Sequence, residues 1–273
     1  QNRIDPYQGG VNAVTEAFCN TVSVGAEAIA LSDCLCYGNP EKPDQMRLFA
    51  EGCKGVADAA SALNIPIIAG NVSLYNESAR GSIPPSPMIA VLGRLEEVKH
   101  ALSQHICRPG LEIYLIGERK PEFGGSIYYE LLGHTGSSIP LPDLEELKRS
   151  ALCIRSCSKE GLLEACHDIS EGGLAVSLAE MLFKHEFGCN LKLPENTKCK
   201  EEAFLFAESF GFLLAVDHHQ REAFLLQCKK YQLEAELLGN SNESGIISLG
   251  SHINIPLQTA KDAWMHGLRR SLS

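Results

Sequence analysis

The sequence predicts an α/β protein in which helices and strands alternate along two successive segments. Short apolar runs stop at Gly, Asn, Asp or Pro, and helical periodicity fills the intervals between them. The composition is that of an ordinary folded chain, 44% hydrophobic and 21% charged over 273 residues, with 24 Gly and 13 Pro. A chain of this length can build one large core or two modest ones, and the pattern favours two.

Apolar and small residues recur at helical spacing over residues 9–25, with Gly25 placed to end the helix. Ala28, Ile29, Ala30 and Leu31 read as a buried strand that stops at Ser32 and delivers Asp33 into a loop containing Gly38, Asn39 and Pro40. Pro43 suits the first turn of a second helix reaching about residue 63. A second buried strand over 65–69 stops at Gly70 and Asn71, an extended pattern resumes over 72–75, 80–87 reads as loop, and 88–93 as a third strand. The charged stretch 94–108, closed by Pro109 and Gly110, marks a boundary, and the expected domains are residues 1–106 and 107–273.

The second segment opens with a strand over 111–117, then Gly124, Gly125 and Ser126 before a short helix. Asp143 is placed to cap a helix running to about residue 164, interrupted at Gly161. A helix over 174–183, a strand over 212–216, a helix over 220–231 and a strand over 234–238 complete the alternation.

Charge and composition exclude several classes. Lys and Arg total 24 against 34 Asp and Glu, a formal net charge of -10, and the cations are dispersed, so no nucleic-acid partner is expected. Nucleotides remain compatible with an acidic chain, because Mg²⁺ and backbone N–H groups can meet phosphate charge. No run approaches the roughly 20 apolar residues of a membrane span, and the first ten residues lack the apolar core of a signal peptide, so a cytoplasmic location with no membrane association is expected. The eleven cysteines, odd in number and without framework spacing, fit a reducing compartment. The Asn-x-Ser triplets at Asn71, Asn76 and Asn242 are then coincidental. Because the chain starts at Gln1 rather than Met, it is expected to be a processed chain or a piece of a longer one.

Candidate chemistry sits at strand ends. Asp33 lies where α/β proteins deliver ligand-binding groups, although a turn-capping Asp accounts for it as well. In Gly70-Asn71-Val72-Ser73, Gly permits close approach of a ligand, Asn offers a neutral oxygen to Mg²⁺ and Ser a hydroxyl, while a plain strand-ending turn explains the same residues. His167-Asp168 is followed by Gly172-Gly173 at a helix start, where N–H groups can hold an anion or Asp can simply cap. Glu208-Ser209 either supplies a carboxylate and a hydroxyl to a cleft or merely begins a strand. Cys34 and Cys36 are close, and Cys153, Cys157, Cys166 and His167 lie within fifteen residues, but paired C-x₂-C knuckles are absent and zinc is not expected. No Walker A or G-x-G-x-x-G pattern occurs, so any ATP site belongs to a less common nucleotide fold.

Taken together, Asp5-Pro6-Tyr7, DCLCYGNPEKP at 33–43, GNVSLYNE at 70–77 and IPPSP at 83–87 resemble, in order and spacing, the third quarter of the small-type synthetase subunit of the phosphoribosylformylglycinamidine synthase family. Gly124-Gly125-Ser126, HDISEGGLA at 167–175 and Glu208-Ser209 resemble its last quarter, so the likeness covers nearly the whole chain. The resemblance implies an aminoimidazole-ribonucleotide-synthetase-like unit, one α/β domain followed by another, present twice in the full subunit and once here. It implies a ligase of purine biosynthesis that forms a C–N bond with glutamine as amido donor. ATP would phosphorylate the amide oxygen of formylglycinamide ribonucleotide, and ammonia would displace the phosphate to leave the amidine. Implied partners are the first half of the synthetase, a glutaminase subunit and a small accessory subunit.

Position by position, the resemblance implies ATP contacts at Asp33 and Gly70, a magnesium ligand at Asn71 and a ribonucleotide contact at Ser73. Asp168, Glu208 and Ser209 resemble metal- and substrate-binding positions of the duplicated unit. Cys36 stands where the family usually has Asn, and the family's first half, with its catalytic histidine, ATP-contacting lysine and acidic metal ligands, lies outside this sequence. No catalytic residue is therefore expected in this half, and the chain alone is expected to be inactive. Other enzymes of the superfamily and a non-catalytic supporting half are the competing readings. The central expectation is that two strand ends bring Asp33 and Asn71 into one pocket.

Overall fold

The computed structural model describes residues 1–194 and 197–272. Asp5 accepts a hydrogen bond from the N–H of Gln8 and Pro6 occupies the first turn, so helix α1 (Pro6–Ser23) starts earlier than its apolar spacing suggests. Gly25, at φ +80°, follows its end. Strand β1 (Glu27–Cys36) leads to α2 (Pro43–Ala62), which has Pro43 in its first turn, and then to β2 (Ile67–Ser73). A small hairpin, β3 (Glu77–Ser78) and β4 (Gly81–Ser82), precedes β5 (Ser86–Arg94).

These strands form a three-stranded sheet, β2-β1-β5, with β1 parallel to β2 and antiparallel to β5. Two expectations are corrected here. Neither β1 nor β2 stops at its polar motif: β1 passes through Asp33 to Cys36, and β2 passes through Gly70 and Asn71 to Ser73. β2 is not buried either. It is an edge strand, and Ile67, Ile68 and Val72 are exposed, because α1 packs over β5 and β1 while α2 packs mainly on α1. An apolar run alone does not say whether anything covers it.

A 3₁₀ turn (Val98–His100) leads to β6 (Glu112–Ile116), α3 (Ile127–Leu131), α4 (Leu144–Lys159), β7 (Ala165–Asp168) and α5 (Gly173–Leu182). The chain continues through β8 (Gly188–Leu191), α6 (Glu201–Phe206), β9 (Phe212–Val216), α7 (Arg221–Lys230), β10 (Glu236–Asn242), β11 (Ile246–Leu249), β12 (Ile253–Pro256) and α8 (Leu257–Leu272). Asp143 does cap α4 through the N–H of Glu146, but the helix ends at Lys159, short of the expected residue 164. Strands β6 to β12 make a seven-stranded sheet in the order β12-β11-β8-β10-β6-β9-β7, antiparallel except for the β8–β11 pair.

The neighbouring strands β6 and β9 are buried throughout, which the apolar runs Ile113–Ile116 and Phe212–Val216 reflect. Alternation then assigns the two faces. Tyr114, Ile116, Phe212 and Leu214 join Phe18, Leu31, Cys153 and Phe224 in one core, whereas Ile113, Leu115, Leu213 and Ala215 join Leu174, Leu178, Phe204 and Leu257 in the other. Among the described residues there are two cores, and the first draws on both segments, because α1 lies between the small sheet and α4. The one carboxylate among these buried strands, Glu112, is held by the Arg221 guanidinium, by His218 at 3.0 Å and by the Tyr114 hydroxyl at 2.9 Å. Among the described residues no helix is long and apolar enough to cross a membrane.

Candidate functional site

Residues 33–43 and 70–77 meet at the end of the small sheet. The N–H of Tyr37 donates to the Ser73 carbonyl at 2.9 Å, and the N–H groups of Tyr75 and Asn76 donate back to Gly38 and Tyr37. The Asn76 carboxamide donates to the Tyr37 and Ser73 carbonyls at 3.0 and 2.9 Å and to Ser73 Oγ at 3.1 Å. Glu77 accepts from the Lys42 ammonium at 2.7 Å, from Ser82 Oγ at 2.8 Å and from the N–H of Asn39. Tyr75 sits at φ +60°, a left-handed conformation that this bonding holds in place. The cluster rests on Tyr37, whose buried ring packs edge-on against Phe49 and against Gly52 of α2.

Asp33 opposes Gly70 in the β1–β2 ladder, and Cys34 opposes Asn71. The Asp33 carboxylate lies over Gly70, where an added Cβ would stand 2.7 Å from Oδ1, and on this side burial raises its pKa. Among the described residues no donor reaches it. Asn71 projects from the other face, where its Nδ2 donates to Cys34 Sγ at 3.5 Å and its Oδ1 is left open. Here the expectation of one shared pocket is corrected: the motifs are neighbours in the ladder, but side chains one residue apart on a strand leave on opposite faces. Ser73 joins Asn71 on the outer face, and Asp33 and Gly70 share the inner one.

Asp168, Glu208 and Ser209 gather elsewhere, between α1 and the large sheet. Glu208 Oε1 accepts from the N–H groups of Ile127 and Gly172 at 2.9 and 3.0 Å. The helix start at Gly172-Gly173 therefore already holds an anion, and that anion is the protein's own carboxylate, which corrects the expectation of a free anion site there. Gly173, at φ +72°, lies against the carbonyls of Leu205 and Ala207, which leaves no room for a side chain. Ser209 Oγ donates to the buried Glu122 at 3.0 Å, and the buried Arg119 guanidinium donates to the carbonyls of Phe204, Ala207 and Ser209.

Asp168 is 2% exposed and its Oδ2 has no hydrogen-bond partner. Its other oxygen stands 3.4 Å from His167 Nδ1, an ion-pair distance without hydrogen-bond geometry, while His167 Nε2 meets Glu180 at 3.2 Å. Burial pulls the imidazole pKa down, but the two carboxylates together outweigh it and raise the value to about 9. Across from Asp168, burial first and the Asp168 charge second raise the Glu16 carboxyl to about 7. Glu16, Glu171 and Glu208 line a cavity of about 390 Å³ together with Asn12, Ser170 and Phe210. Sequence reasoning missed Glu16 and Glu171, because nothing local in α1 signals that Glu16 will face a carboxylate about 150 residues away. So acidic a cavity favours cations and opposes bare phosphate.

This arrangement of a small mixed sheet, an intervening helix and a large antiparallel sheet defines the class. The chain belongs to the AIR synthase related family: residues 1–95 match its N-terminal domain and residues 108–251 its C-terminal domain. It is 36% identical over 285 residues to the phosphoribosylformylglycinamidine synthase subunit PurL of Methanothrix thermoacetophila, and 35% identical over 266 residues to that of Nocardia farcinica. The matches take in 99% and 96% of this chain but 37% and 35% of those relatives, so the chain spans little more than a third of their length. Among solved structures it resembles Thermotoga maritima PurL complexed with FGAR, with a TM-score of 0.78 and 19% identity over 94% of this chain and 43% of that one. The T. maritima PurL complexed with ATP matches at 0.73 and 18%, covering 94% of this chain and 42% of that one.

Proposed function

We propose that this chain is the second half of the synthetase subunit of a phosphoribosylformylglycinamidine synthase. The observation that carries this is the junction of residues 33–43 with 70–77: the two most specific segments of the sequence bond to one another through Tyr37, Ser73, Asn76, Glu77 and Lys42, and so act as one unit. The curated relatives carry this enzyme's name, and the solved T. maritima PurL structures include complexes with ATP and with FGAR. In this reading the complete enzyme converts formylglycinamide ribonucleotide and glutamine-derived ammonia, with ATP, to the amidine, ADP and phosphate. A glutaminase and a small subunit are its partners, in line with the T. maritima PurLQS assembly, and the reaction runs in the cytoplasm.

The residues divide the work by face. Asp33, a carboxylate with no donor of its own, suits the ribose hydroxyls or base amine of ATP rather than its phosphates, with Gly70 leaving room beside it. On the outer face Asn71 Oδ1 would serve Mg²⁺ and Ser73 Oγ the ribonucleotide. These groups alone do not fit a magnesium or triphosphate site. Asn71 is a single neutral ligand, no group of three or more His, Cys, Asp or Glu among the described residues is placed to hold a metal, and Lys42 is engaged by Glu77. Asp168, Glu208 and Ser209 are assigned to the duplicated unit, with Glu208 and Ser209 bracing its loops.

The test is ADP release from this chain alone and after mixing with the complementary half, supplied with substrate, Mg²⁺, ATP and ammonia. Turnover is expected only in the mixture, and Asn71→Ala should then raise the Mg²⁺ requirement while leaving the fold intact. Strong turnover by the chain alone contradicts the split site, and an unchanged magnesium dependence removes Asn71 from it.

A further inference from the structure

Cys34 and Cys36 are two residues apart on β1, so both side chains leave the same side of the pleat. That side is the outer face of the small sheet, and the two Sγ atoms stand 3.9 Å apart. Both thiols are half-buried, unlike Cys153, Cys157 and Cys228, which also cluster but are sealed in the first core. Met88 on β5 is the antiparallel partner of Cys34 and is 51% exposed. Directly opposed residues share a face, with Cβ atoms roughly 5 Å apart. The hydrogen-bonding neighbours of the pair are each other and the Asn71 carboxamide.

We propose that Cys34, Cys36 and Met88 form a binding site for a soft monovalent cation of the Cu(I) class. At the observed Sγ separation of 3.9 Å, an ion about 2.3 Å from each sulfur, the usual thiolate bond length, subtends an S–metal–S angle of about 116°. That value lies between trigonal and tetrahedral, so the two thiols bind without moving. The donor set selects the metal: two thiolates and a thioether are soft ligands that suit Cu(I). Zinc would need four ligands, and no His or carboxylate completes such a set among the described residues. On binding, two S–H bonds break, two metal–sulfur bonds form, and two protons pass to solvent with no change in oxidation state. An ion held here shares its face with Asn71 and Ser73.

The whole chain, kept reduced and anaerobic, is titrated with Cu(I) buffered by bicinchoninate, and its cysteines are mapped by iodoacetamide labelling with and without metal. One ion per chain is expected, shielding Cys34 and Cys36 while Cys53 and Cys107 stay reactive. Cys34→Ser or Cys36→Ser should weaken binding by more than about a hundredfold, beyond the ten- to hundredfold typical of outer-shell changes, and Met88→Leu by about tenfold. Cys107→Ser should change nothing. Metal that shields other cysteines instead, or a Cys34→Ser/Cys36→Ser chain that keeps wild-type affinity, overturns the proposal. The shielding is read on the unaltered chain, so the test stands even where a variant fails to fold.

Discussion

Glu208 and Gly172, 36 residues apart in sequence, are joined by a carboxylate that accepts the N–H of Gly172, the N-cap residue of α5, at 3.0 Å while accepting a second, from Ile127 at the start of α3, at 2.9 Å. One buried acceptor oxygen thus fixes two helix starts. Glu208→Ala would leave both N–H groups unpaired and should cost about 2–4 kcal/mol in urea unfolding. Glu208→Gln keeps an acceptor and should cost about half as much. Equal losses for the two variants would show that the charge, not the shared acceptor, is what matters.

Glu16 makes stability depend on pH in a predictable direction. Its folded pKa of about 7 exceeds the unfolded 4.5, so its stabilising contribution is full below about pH 4.5 and is lost as pH rises through about 7. Glu16→Gln should therefore raise Tm at pH 8 and leave it nearly unchanged at pH 4. A Tm difference that is the same at both pH values would contradict the burial of Glu16 against Asp168.

His167 shifts the pH dependence of stability in the same direction as Glu16. Held at about 9 against 6.5 when unfolded, its imidazolium contributes stability that is full below about pH 6.5 and is lost as pH rises through about 9. An NMR titration of its ring protons should find the midpoint near 9, and Glu180→Gln should lower that midpoint by about one unit. A midpoint near 6.5 would mean that the two flanking carboxylates do not reach the ring.

Tyr37 and Gly52 form a coupled pair. A methyl group on Gly52 would be driven into the Tyr37 hydroxyl, which is buried with no hydrogen-bond partner. Gly52→Ala should cost about 1–3 kcal/mol from overpacking, and far less in a Tyr37→Phe background. Tyr37→Phe alone should be neutral or stabilising, because it removes an unsatisfied polar atom. Additive losses across the double-mutant cycle would break the proposed coupling.

The sequence carried those features whose cause is local. Asp143 as a helix cap, Pro43 in a first turn, and the fully apolar strand at Phe212–Val216 all stand where their residue types require. Elements with weak local signals were not legible. The strands Gly188–Leu191, Ile246–Leu249 and Ile253–Pro256 span four residues each, and the helix Glu201–Phe206 is short and has no side-chain cap to mark it out. The proposed site was half legible for the same reason. Asp33, Gly70, Asn71 and Ser73 are announced by their motifs, but which face each one takes depends on ladder register, and the approach of Glu16 to Asp168 depends on how α1 nestles between the two sheets.

The strand Ile67–Ser73 pairs with Glu27–Cys36 along one side and with no strand of the described chain along the other. A row of open amides and carbonyls beside exposed Ile68 and Val72 is a template for the next extended segment that meets it. Kept by itself at high concentration, the chain would recruit its own copies along that seam. Its solubility, more than its melting temperature, should then register whether a fitting companion is present.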